Sequence, residues 1–254
     1  MTAVVGTIAV LTHRPHARWR AYCLPPAGLG PEFYLPWCSV LPQDVELCAV
    51  QLPGRGPLVD QPCATDTRAL TKALADLVTA QADPRPFALF GHSLGALLAF
   101  TTACRLQRAH RRPPALLAVS GFPPPQLGAY HAMAGELLAA GHLGAAELLG
   151  FRANALDDPA RLATAYLPVV GDLLLLLQHR HHDEPPLDCD LAVYGGHDDP
   201  AATLAQLAAW NDLATTPTTP RLFPGGHTFP VAHAEAVTTR LHQDLRTAVG
   251  EHAS

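Results

Sequence analysis

The stretch Phe87-Ala88-Leu89-Phe90-Gly91-His92-Ser93-Leu94-Gly95-Ala96 decides how this sequence is interpreted, and it continues into an apolar, alanine-rich run. Its first four residues form an apolar segment short enough for a buried strand, and the run that follows is long enough for a helix. A serine between the two would lie on a tight turn that lifts its hydroxyl clear of the backbone. Glycine at both flanking positions removes Cβ atoms that would collide there and tolerates strained dihedral angles. The stretch therefore predicts a strand, a sharp turn with a candidate serine nucleophile, and a helix.

Gly91-His92-Ser93-Leu94-Gly95 is a Gly-x-Ser-x-Gly sequence, which in this context resembles the nucleophile elbow of α/β-hydrolases. The chain has only four serines, so composition alone would rarely place one between two such glycines. The alternative is an ordinary glycine-rich turn with a serine facing solvent. A helix that opens at Ala96 would aim free N–H groups and its positive dipole end at charge developing near Ser93.

Length and composition indicate a compact domain. The chain has 254 residues, 48% apolar and 15% charged, which favours a single folded domain over residues 1–254. No run approaches the roughly 18 consecutive apolar residues of a membrane span. Residues 1–11 lack the features of a signal peptide, so a cytoplasmic protein without membrane contact is expected. A net charge of −5 argues against a nucleic-acid partner, and six cysteines without a Cys-x-x-Cys pair are expected to be reduced.

Short apolar runs alternate with longer helical patterns, which is typical of the α/β class with a mostly parallel sheet flanked by helices. The predicted strands are Ala21–Leu24, Val45–Val50, Phe87–Phe90, Ala115–Ser120, Leu191–Tyr194 and Arg221–Phe223. The predicted helices are Thr67–Ala80, Ala96–Arg108, Thr203–Leu213 and Ala232–Ala248.

One connection, between the fourth and fifth predicted strands, is about seventy residues long, whereas a crossover needs only a dozen or more. It contains helical patterns at 129–149 and 161–180, and Asp158-Pro159 has the residue types of a helix start. We interpret residues 122–186 as a helical lid insertion over the carboxyl edge of the sheet, where such folds bind ligands. Its apolar helices need an apolar surface to cover, which an acyl chain would supply. The alternative is a stabilising appendage.

A serine nucleophile needs a base, and the base needs a group that orients it. In α/β-hydrolases the acid follows the serine along the chain and the histidine comes last. Two later strands run into glycine turns that could deliver these groups. One turn is Gly195-Gly196-His197-Asp198-Asp199-Pro200 and the other is Pro224-Gly225-Gly226-His227.

We therefore predict Ser93, Asp199 and His227 as the catalytic residues. Asp198 remains an alternative acid, and Asp199 is preferred because it directly precedes Pro200. His92, beside the nucleophile, is expected to serve in packing or hydrogen bonding.

An oxyanion hole needs two N–H donors. One is predicted to be the amide of Leu94, the residue after the nucleophile. The other is expected from the loop Pro25-Pro26-Ala27-Gly28-Leu29-Gly30. Ala27 is the first residue of that loop able to donate, because prolines lack an N–H.

Together these motifs resemble the type II, or external, thioesterases that accompany nonribosomal peptide synthetases and polyketide synthases, from about Cys23 to Phe229. Several motifs in the right order are more specific than any one. They are Leu24-Pro25-Pro26-Ala27-Gly28 (like a Phe-Pro-x-Ala-Gly loop), Gln51-Leu52-Pro53-Gly54-Arg55-Gly56 (like a Pro-Gly-Arg segment), the elbow Gly91–Ala96, Gly196–Pro200, Trp210 and Pro224–His227. The departures are Thr228-Phe229-Pro230, where the family usually has two aromatics and a leucine, and Thr101-Thr102, which replaces a common acidic residue.

The resemblance implies hydrolysis of acyl or aminoacyl thioesters from the phosphopantetheine arm of acyl or peptidyl carrier protein domains. Such an enzyme clears mis-loaded or stalled chains through an acyl-enzyme on Ser93 and uses no cofactor. A general esterase, a chain-releasing thioesterase or an acyltransferase on the same fold remains an alternative. So does a binding protein with a relic site.

Two charged clusters are interpreted without a ligand. His179-Arg180-His181-His182 looks like a metal site, but adjacent histidines without a flanking ligand pattern are typical of a surface, so no metal is predicted. Four arginines lie near the end of the elbow helix, where positive charge favours the helix C-terminus. The alternative is a docking patch for an acidic carrier domain. The four are Arg105, Arg108, Arg111 and Arg112.

Overall fold

The computed structural model describes residues 6–110, 112–141, 159–182 and 184–250. Within them, seven strands form one sheet. The strands are β1 (Thr7–Val10), β2 (Trp19–Leu24), β3 (Val45–Gln51), β4 (Phe87–His92), β5 (Leu116–Ser120), β6 (Asp190–Gly196) and β7 (Arg221–Phe223). Their order is β1-β3-β2-β4-β5-β6-β7. Only β1 runs antiparallel to its neighbour, so the predicted α/β class with a mostly parallel sheet is confirmed.

The helices of the described residues flank this sheet. They are α1 (Thr67–Ala80), α2 (Leu94–Arg105), α3 (Ala129–Ala139), α4 (Pro159–Gln178), α5 (Leu204–Ala208), α6 (Phe229–Ala232) and α7 (Ala234–Ala248). Shorter segments with tighter or wider turns are the 3-10 helices Pro31–Ser39, Gly56–Leu58, Pro125–Leu127 and Ala209–Leu213, and the π-helical turn Leu106–His110.

Each of the six predicted strands is present, with ends that differ from the prediction by at most two residues, and α1 matches its prediction. Three helix predictions need correction. The elbow helix α2 begins at Leu94 instead of Ala96 and passes into the π-helical turn after Arg105. The helix expected over 203–213 is divided into α5 and a 3-10 segment. The helix expected from Ala232 begins at Ala234 as α7, because Ala232 is the last residue of the separate short helix α6.

Two apolar layers cover the faces of the sheet, as the period-two alternation of strand side chains requires. On β2, Tyr22 belongs to the layer shared with α1 and α2. Its neighbour Cys23 belongs to the opposite layer, shared with α7 and the 31–39 segment. All six cysteines are free thiols. Burial raises the pKa of Cys48, Cys104 and Cys189 to about 12, which keeps these three protonated near neutral pH.

The strand register brings the carboxyl ends of the central strands to one edge of the sheet. Leu24 on β2 lies opposite Gly91 on β4, and His92 lies opposite Ser120 on β5. The chain leaves β2 toward β3 and later returns to β4 on the other side. Such a reversal opens a crevice at the carboxyl edge, between the loops that follow β2 and β4.

The long connection after β5 is described only in part. Its helices α3 and α4 pack against each other, and Tyr130 and Val169 enter the core layer that also contains Phe122. In place of the helix expected at 129–149, α3 ends at Ala139, and residues 142–149 and the expected helix start at Asp158 lie outside the described residues. The assignment of 122–186 as a lid stays a prediction. No described helix combines the length and apolar composition that a membrane span requires.

Candidate active site

Ser93 lies on a strained turn between β4 and α2. Its backbone has φ 55° and ψ −124°, a conformation that costs a side chain of this kind roughly 1–3 kcal/mol. The surrounding structure holds it there, since the Ser93 amide donates to Ser120 O at 2.9 Å and Ser93 O accepts from the Ala96 amide at 2.8 Å. The side chain is thereby presented at the start of α2, where unpaired helix N–H groups concentrate positive potential.

The two flanking glycines are required by the closeness of the backbone around the turn. A Cβ atom on Gly91 would overlap Gly95 O and lie 2.6 Å from Ala96 N. One on Gly95 would overlap Leu24 O and lie 2.8 Å from Pro25 O. Because these neighbours are backbone atoms, no rotamer change could relieve the overlap. The first turn of α2 therefore rests directly on the loop that follows β2.

An aspartate and a histidine meet at the same edge, from the loops after β6 and β7. His227 Nδ1 donates to Asp199 Oδ2 at 2.9 Å and lies 3.0 Å from Oδ1. The Asp199 side chain is only 1% exposed and also accepts from the Ala201 amide. A carboxylate at Nδ1 holds the neutral imidazole with its proton on that nitrogen, which leaves Nε2 free to accept a proton. Asp198, the alternative acid, is exposed to solvent.

The third predicted residue, Ser93, lies beside this pair without bonding to it. The His92 ring, immediately before Ser93, lies 4.7 Å from the His227 ring between centroids. Among the hydrogen bonds of the described residues there is none from the Ser93 hydroxyl to His227. Hydrogen bonds of this kind are often long or misaligned in unliganded enzymes and tighten once substrate is bound. The structure thus joins two of the predicted residues and places the third on the neighbouring turn.

The predicted oxyanion donors lie on the loop after β2 and at the start of α2, the two segments that are in close contact at Gly95. Leu94 is the first residue of α2, where the N–H has no partner within the helix. Ala27 is buried, and its N–H makes no hydrogen bond to any described residue. The next amide along the loop, that of Gly28, is already occupied, because it donates to Asp172 Oδ2 at 2.8 Å.

His92 supports the site from behind, in line with the packing or hydrogen-bonding role expected of it. Its ring stacks on Phe33 with an interplanar angle of 7°, and Nδ1 lies 3.0 Å from Ser120 Oγ. Burial, followed by the proximity of His227, lowers the pKa of His92 well below its ordinary value. His92 is therefore neutral at physiological pH and places no positive charge beside the His227 imidazole.

Two buried charged residues near the site were not assigned roles from the sequence. Asp172 on α4 and Arg55, in the loop after β3, form an ion pair whose side chains are 1% and 6% exposed. A signal was available for Asp172, since it directly precedes five consecutive leucines. A charge in such an apolar segment is buried only with a partner. Nothing in the sequence, however, indicated which residue that partner would be.

Three of the four arginines near the end of the elbow helix bond to other residues of the protein. Arg105 donates to Arg68 O, Arg108 pairs with Glu184 at 2.5 Å and Arg112 donates to Asp83 O. Their use as a docking patch stays an untested alternative, and Arg111 lies outside the described residues.

In the histidine cluster, His179 Nδ1 lies 2.6 Å from the Tyr130 hydroxyl. The described residues contain no group of three or more histidine, cysteine or acidic side chains placed to hold a metal.

Comparison with known proteins identifies the family. A model of the thioesterase domain matches residues 20–245. A probable cadicidin biosynthesis thioesterase of Streptomyces griseus is 34% identical over 231 residues, 89% of this chain and 62% of that protein. The AMB antimetabolite synthetase AmbE of Pseudomonas aeruginosa is 34% identical over 239 residues, 90% of this chain and 11% of that protein. This chain thus spans less than two thirds of the length of either relative.

Among solved structures, the type II thioesterase BorB from the borrelidin biosynthetic cluster superposes with a TM-score of 0.80 at 29% identity. The alignment covers 94% of this chain and 98% of BorB. The suspected resemblance is thereby confirmed. The region that matches the family model runs from β2 into α7 and contains every loop that forms the candidate site. This chain therefore belongs to the thioesterase domain family.

Proposed function

We propose that this protein is a type II thioesterase, which hydrolyses acyl or aminoacyl thioesters from the phosphopantetheine arm of acyl or peptidyl carrier protein domains. The proposal rests above all on the hydrogen-bonded Asp199–His227 pair, which lies at the sheet edge beside the strained Ser93. Membership of the thioesterase family supports thioesters as the substrate class. The likeness to a type II thioesterase from a biosynthetic cluster supports carrier-bound substrates. We expect such an enzyme to work in the cytoplasm, beside the synthase it serves.

The first half of the reaction forms an acyl-enzyme. His227 Nε2 takes the Ser93 proton as the serine oxygen attacks the thioester carbonyl, and Asp199 stabilises the resulting imidazolium. The negative charge on the carbonyl oxygen is held by the amides of Ala27 and Leu94. Collapse of this intermediate breaks the C–S bond, and the imidazolium returns its proton to the departing sulfur. A thiol has an ordinary pKa of about 8.5, so its departure needs only modest acid assistance.

The second half returns the enzyme to its starting state. His227 removes a proton from a water molecule as the water attacks the ester of Ser93. The same two amides hold the second oxyanion. The ester C–O bond then breaks, Ser93 regains its proton from His227, and the free acid leaves. Carrier protein is released at the end of the first half with a free thiol on its arm.

Residues 122–186 are proposed to cover the acyl group during this cycle. The described part of this insertion supports the proposal through its apolar side chains, since Leu173 and Leu176 on α4 are buried and Leu167 is 59% exposed. An apolar cover over the acyl-enzyme would also limit access to water.

The decisive experiment is mass spectrometry of an acylated carrier protein incubated with wild type and with Ser93→Ala. Wild type is expected to remove the acyl mass and leave the arm with a free thiol, whereas Ser93→Ala leaves the acylated mass unchanged. Parallel incubations with acyl-CoA and a nitrophenyl ester separate a carrier thioesterase from a general esterase. A product in which an alcohol or amine replaces water would identify an acyltransferase. An intact acyl-carrier beside rapid nitrophenyl-ester hydrolysis would overturn the proposed substrate class.

A further inference from the structure

A buried, two-pronged ion pair joins segments of the chain that are far apart in sequence. Arg55 Nη1 lies 2.5 Å from Asp172 Oδ2, and Nη2 lies 2.7 Å from Oδ1. The two residues are 117 positions apart. Arg55 belongs to the loop after β3 and Asp172 to α4 of the long insertion. Burial alone would lower the pKa of Arg55, but the charge and hydrogen bonds of Asp172 outweigh it and raise that pKa.

Both members of the pair also hold the loop after β2. Asp172 Oδ2 accepts from the Gly28 amide at 2.8 Å, and Arg55 Nη1 donates to Leu29 O at 3.2 Å. These two groups immediately follow Ala27, the proposed oxyanion donor. The loop is therefore bonded through an amide and a carbonyl to one rigid guanidinium–carboxylate unit.

The packing around the pair leaves little room for it to shift. A Cβ atom on Gly171, beside Asp172, would lie 2.6 Å from Cys63 Cβ. A Cβ atom on Gly54, beside Arg55, would overlap the sulfur of the same cysteine. The two segments that carry the pair are thus both in close contact with Cys63, and α4 cannot move relative to the loop after β3 without opening this contact.

We propose that Arg55 and Asp172 are positioning residues, which fix the position of the Ala27 amide through their bonds to Gly28 and Leu29. This inference rests on the proposed function, because it takes the Ala27 amide as an oxyanion donor. The placement of α4 then determines the placement of the oxyanion hole. The insertion contributes to catalysis through this contact in addition to any role as a cover.

A purely stabilising role accounts less well for the pair. Desolvation of two charges is costly, and replacing a buried ion pair by apolar residues of similar size is often neutral or favourable for stability. What an apolar pair cannot supply is an acceptor for the Gly28 amide and a donor for Leu29 O. The bonds to the loop are therefore the property that distinguishes this pair from an apolar contact.

The test compares Asp172→Ala, which removes both carboxylate oxygens, with wild type in the full chain, using two readouts. One is the rate at which a fluorophosphonate labels Ser93, because the phosphonyl oxygen occupies the oxyanion hole. The other is kcat and KM for a small acyl thioester. Since loss of one oxyanion donor lowers kcat about 100- to 1000-fold, a displaced donor is expected to lower kcat and the labelling rate about 10- to 100-fold. KM should change by less than about threefold, because the contact acts on the transition state.

Glu46→Ala provides the matched control. Glu46 is also a buried carboxylate bonded to arginines, accepting from Arg20 at 2.8 Å and Arg85 at 2.7 Å. It lies near the amino end of β3, whereas the site lies at the carboxyl edge of the sheet. We expect this variant to lower the melting temperature and to leave both rates unchanged. If Asp172→Ala likewise retains wild-type rates, the positioning role is refuted.

A second variant separates positioning from stability. Arg55→Met with Asp172→Leu removes both charges together, and we expect this double variant to keep the fold while it loses the bonds to the loop. Slow labelling at an unchanged melting temperature supports the proposal, and wild-type labelling overturns it. The proposed function can fail independently: wild type would then label at Ser93 and hydrolyse no thioester. The labelling comparison would still decide the role of the pair.

Discussion

Replacing Gly95 by alanine is expected to abolish most turnover while leaving a folded protein. The added Cβ would overlap Leu24 O and lie 2.7 Å from Leu24 C and 2.8 Å from Pro25 O. Outside its own residue and the two adjacent ones, a Cβ atom essentially never approaches another heavy atom more closely than 3.0 Å. All three neighbours are backbone atoms, so the loop after β2 or the start of α2 must move.

The size of the effect follows from the required displacement. Restoring ordinary contact calls for a shift on the order of 1 Å, and a misplacement of that size can lower a catalytic rate about 100-fold. Because the shift separates the amides of Ala27 and Leu94, we expect the loss of rate to appear as a lower kcat. Overpacking costs about 1–3 kcal/mol of stability, which corresponds to a fall of about 2–12 °C in the melting temperature of a domain near this size.

Gly135→Ala is the matched control for this substitution. Gly135 lies inside α3, and a Cβ added there meets nothing within 4 Å. The same chemical change should therefore stabilise the helix by about 0.5–1 kcal/mol and leave kcat unaltered. The assay is kcat on an acyl thioester, measured at least 15 °C below the melting temperature of each variant as a rough margin. If Gly95→Ala retains wild-type kcat, the argument that backbone contact places the oxyanion hole is refuted.

Two further predictions concern the acid of the site and the histidine of the insertion. Asp199→Asn is expected to lower kcat by about 10⁴-fold, the loss known for this change in a serine protease, whereas Asp198→Asn should keep kcat within about twofold of wild type. Steady-state kinetics of both variants test the choice of Asp199 as the acid, and equal losses of kcat would contradict it. For His179, burial and then the nearby His181 lower the pKa to about 4 in the folded protein. Between pH 6.5 and 4 the unfolded chain therefore binds more protons than the folded protein. The free energy of unfolding consequently falls as the pH falls through that window. In His179→Gln this decline in melting temperature should be shallower, and an unchanged slope would contradict the assignment.

The local part of the site could be predicted from the sequence because its determinants are contiguous. The elbow needs only a short apolar strand, a serine between glycines and a helix-forming run, and these stand next to each other. The meeting of the loops that carry Asp199 and His227 also followed, because parallel strands bring their carboxyl ends to one edge. The start of α2 was misplaced because Gly95 disfavours helix, whereas its packing on Leu24 requires glycine there.

Two features of the structure were not predicted from the sequence, for different physical reasons. Strand β1 is an edge strand whose residues Thr7–Val10 are exposed or only partly buried. Its apolar run at residues 8–11 is short and does not alternate with polar residues, and such a run does not distinguish a strand from other apolar segments. The pair of Arg55 and Asp172 depends on how α4 packs over the loop after β3. No pattern in either segment names the other as its partner, because the contact is created by the tertiary fold.

The loop after β2 shows why that distant contact is needed. Pro25 and Pro26 have no N–H, so the first two residues of this loop cannot donate a backbone hydrogen bond. If the Ala27 amide is reserved for the oxyanion, the Gly28 amide is the first one left to anchor the loop. Its acceptor is Asp172, 144 residues later, on a helix outside the sheet. Because two prolines precede the proposed oxyanion donor, the first amide that anchors this loop depends on α4, and a variant without the Asp172 carboxylate should show the loss first in kcat.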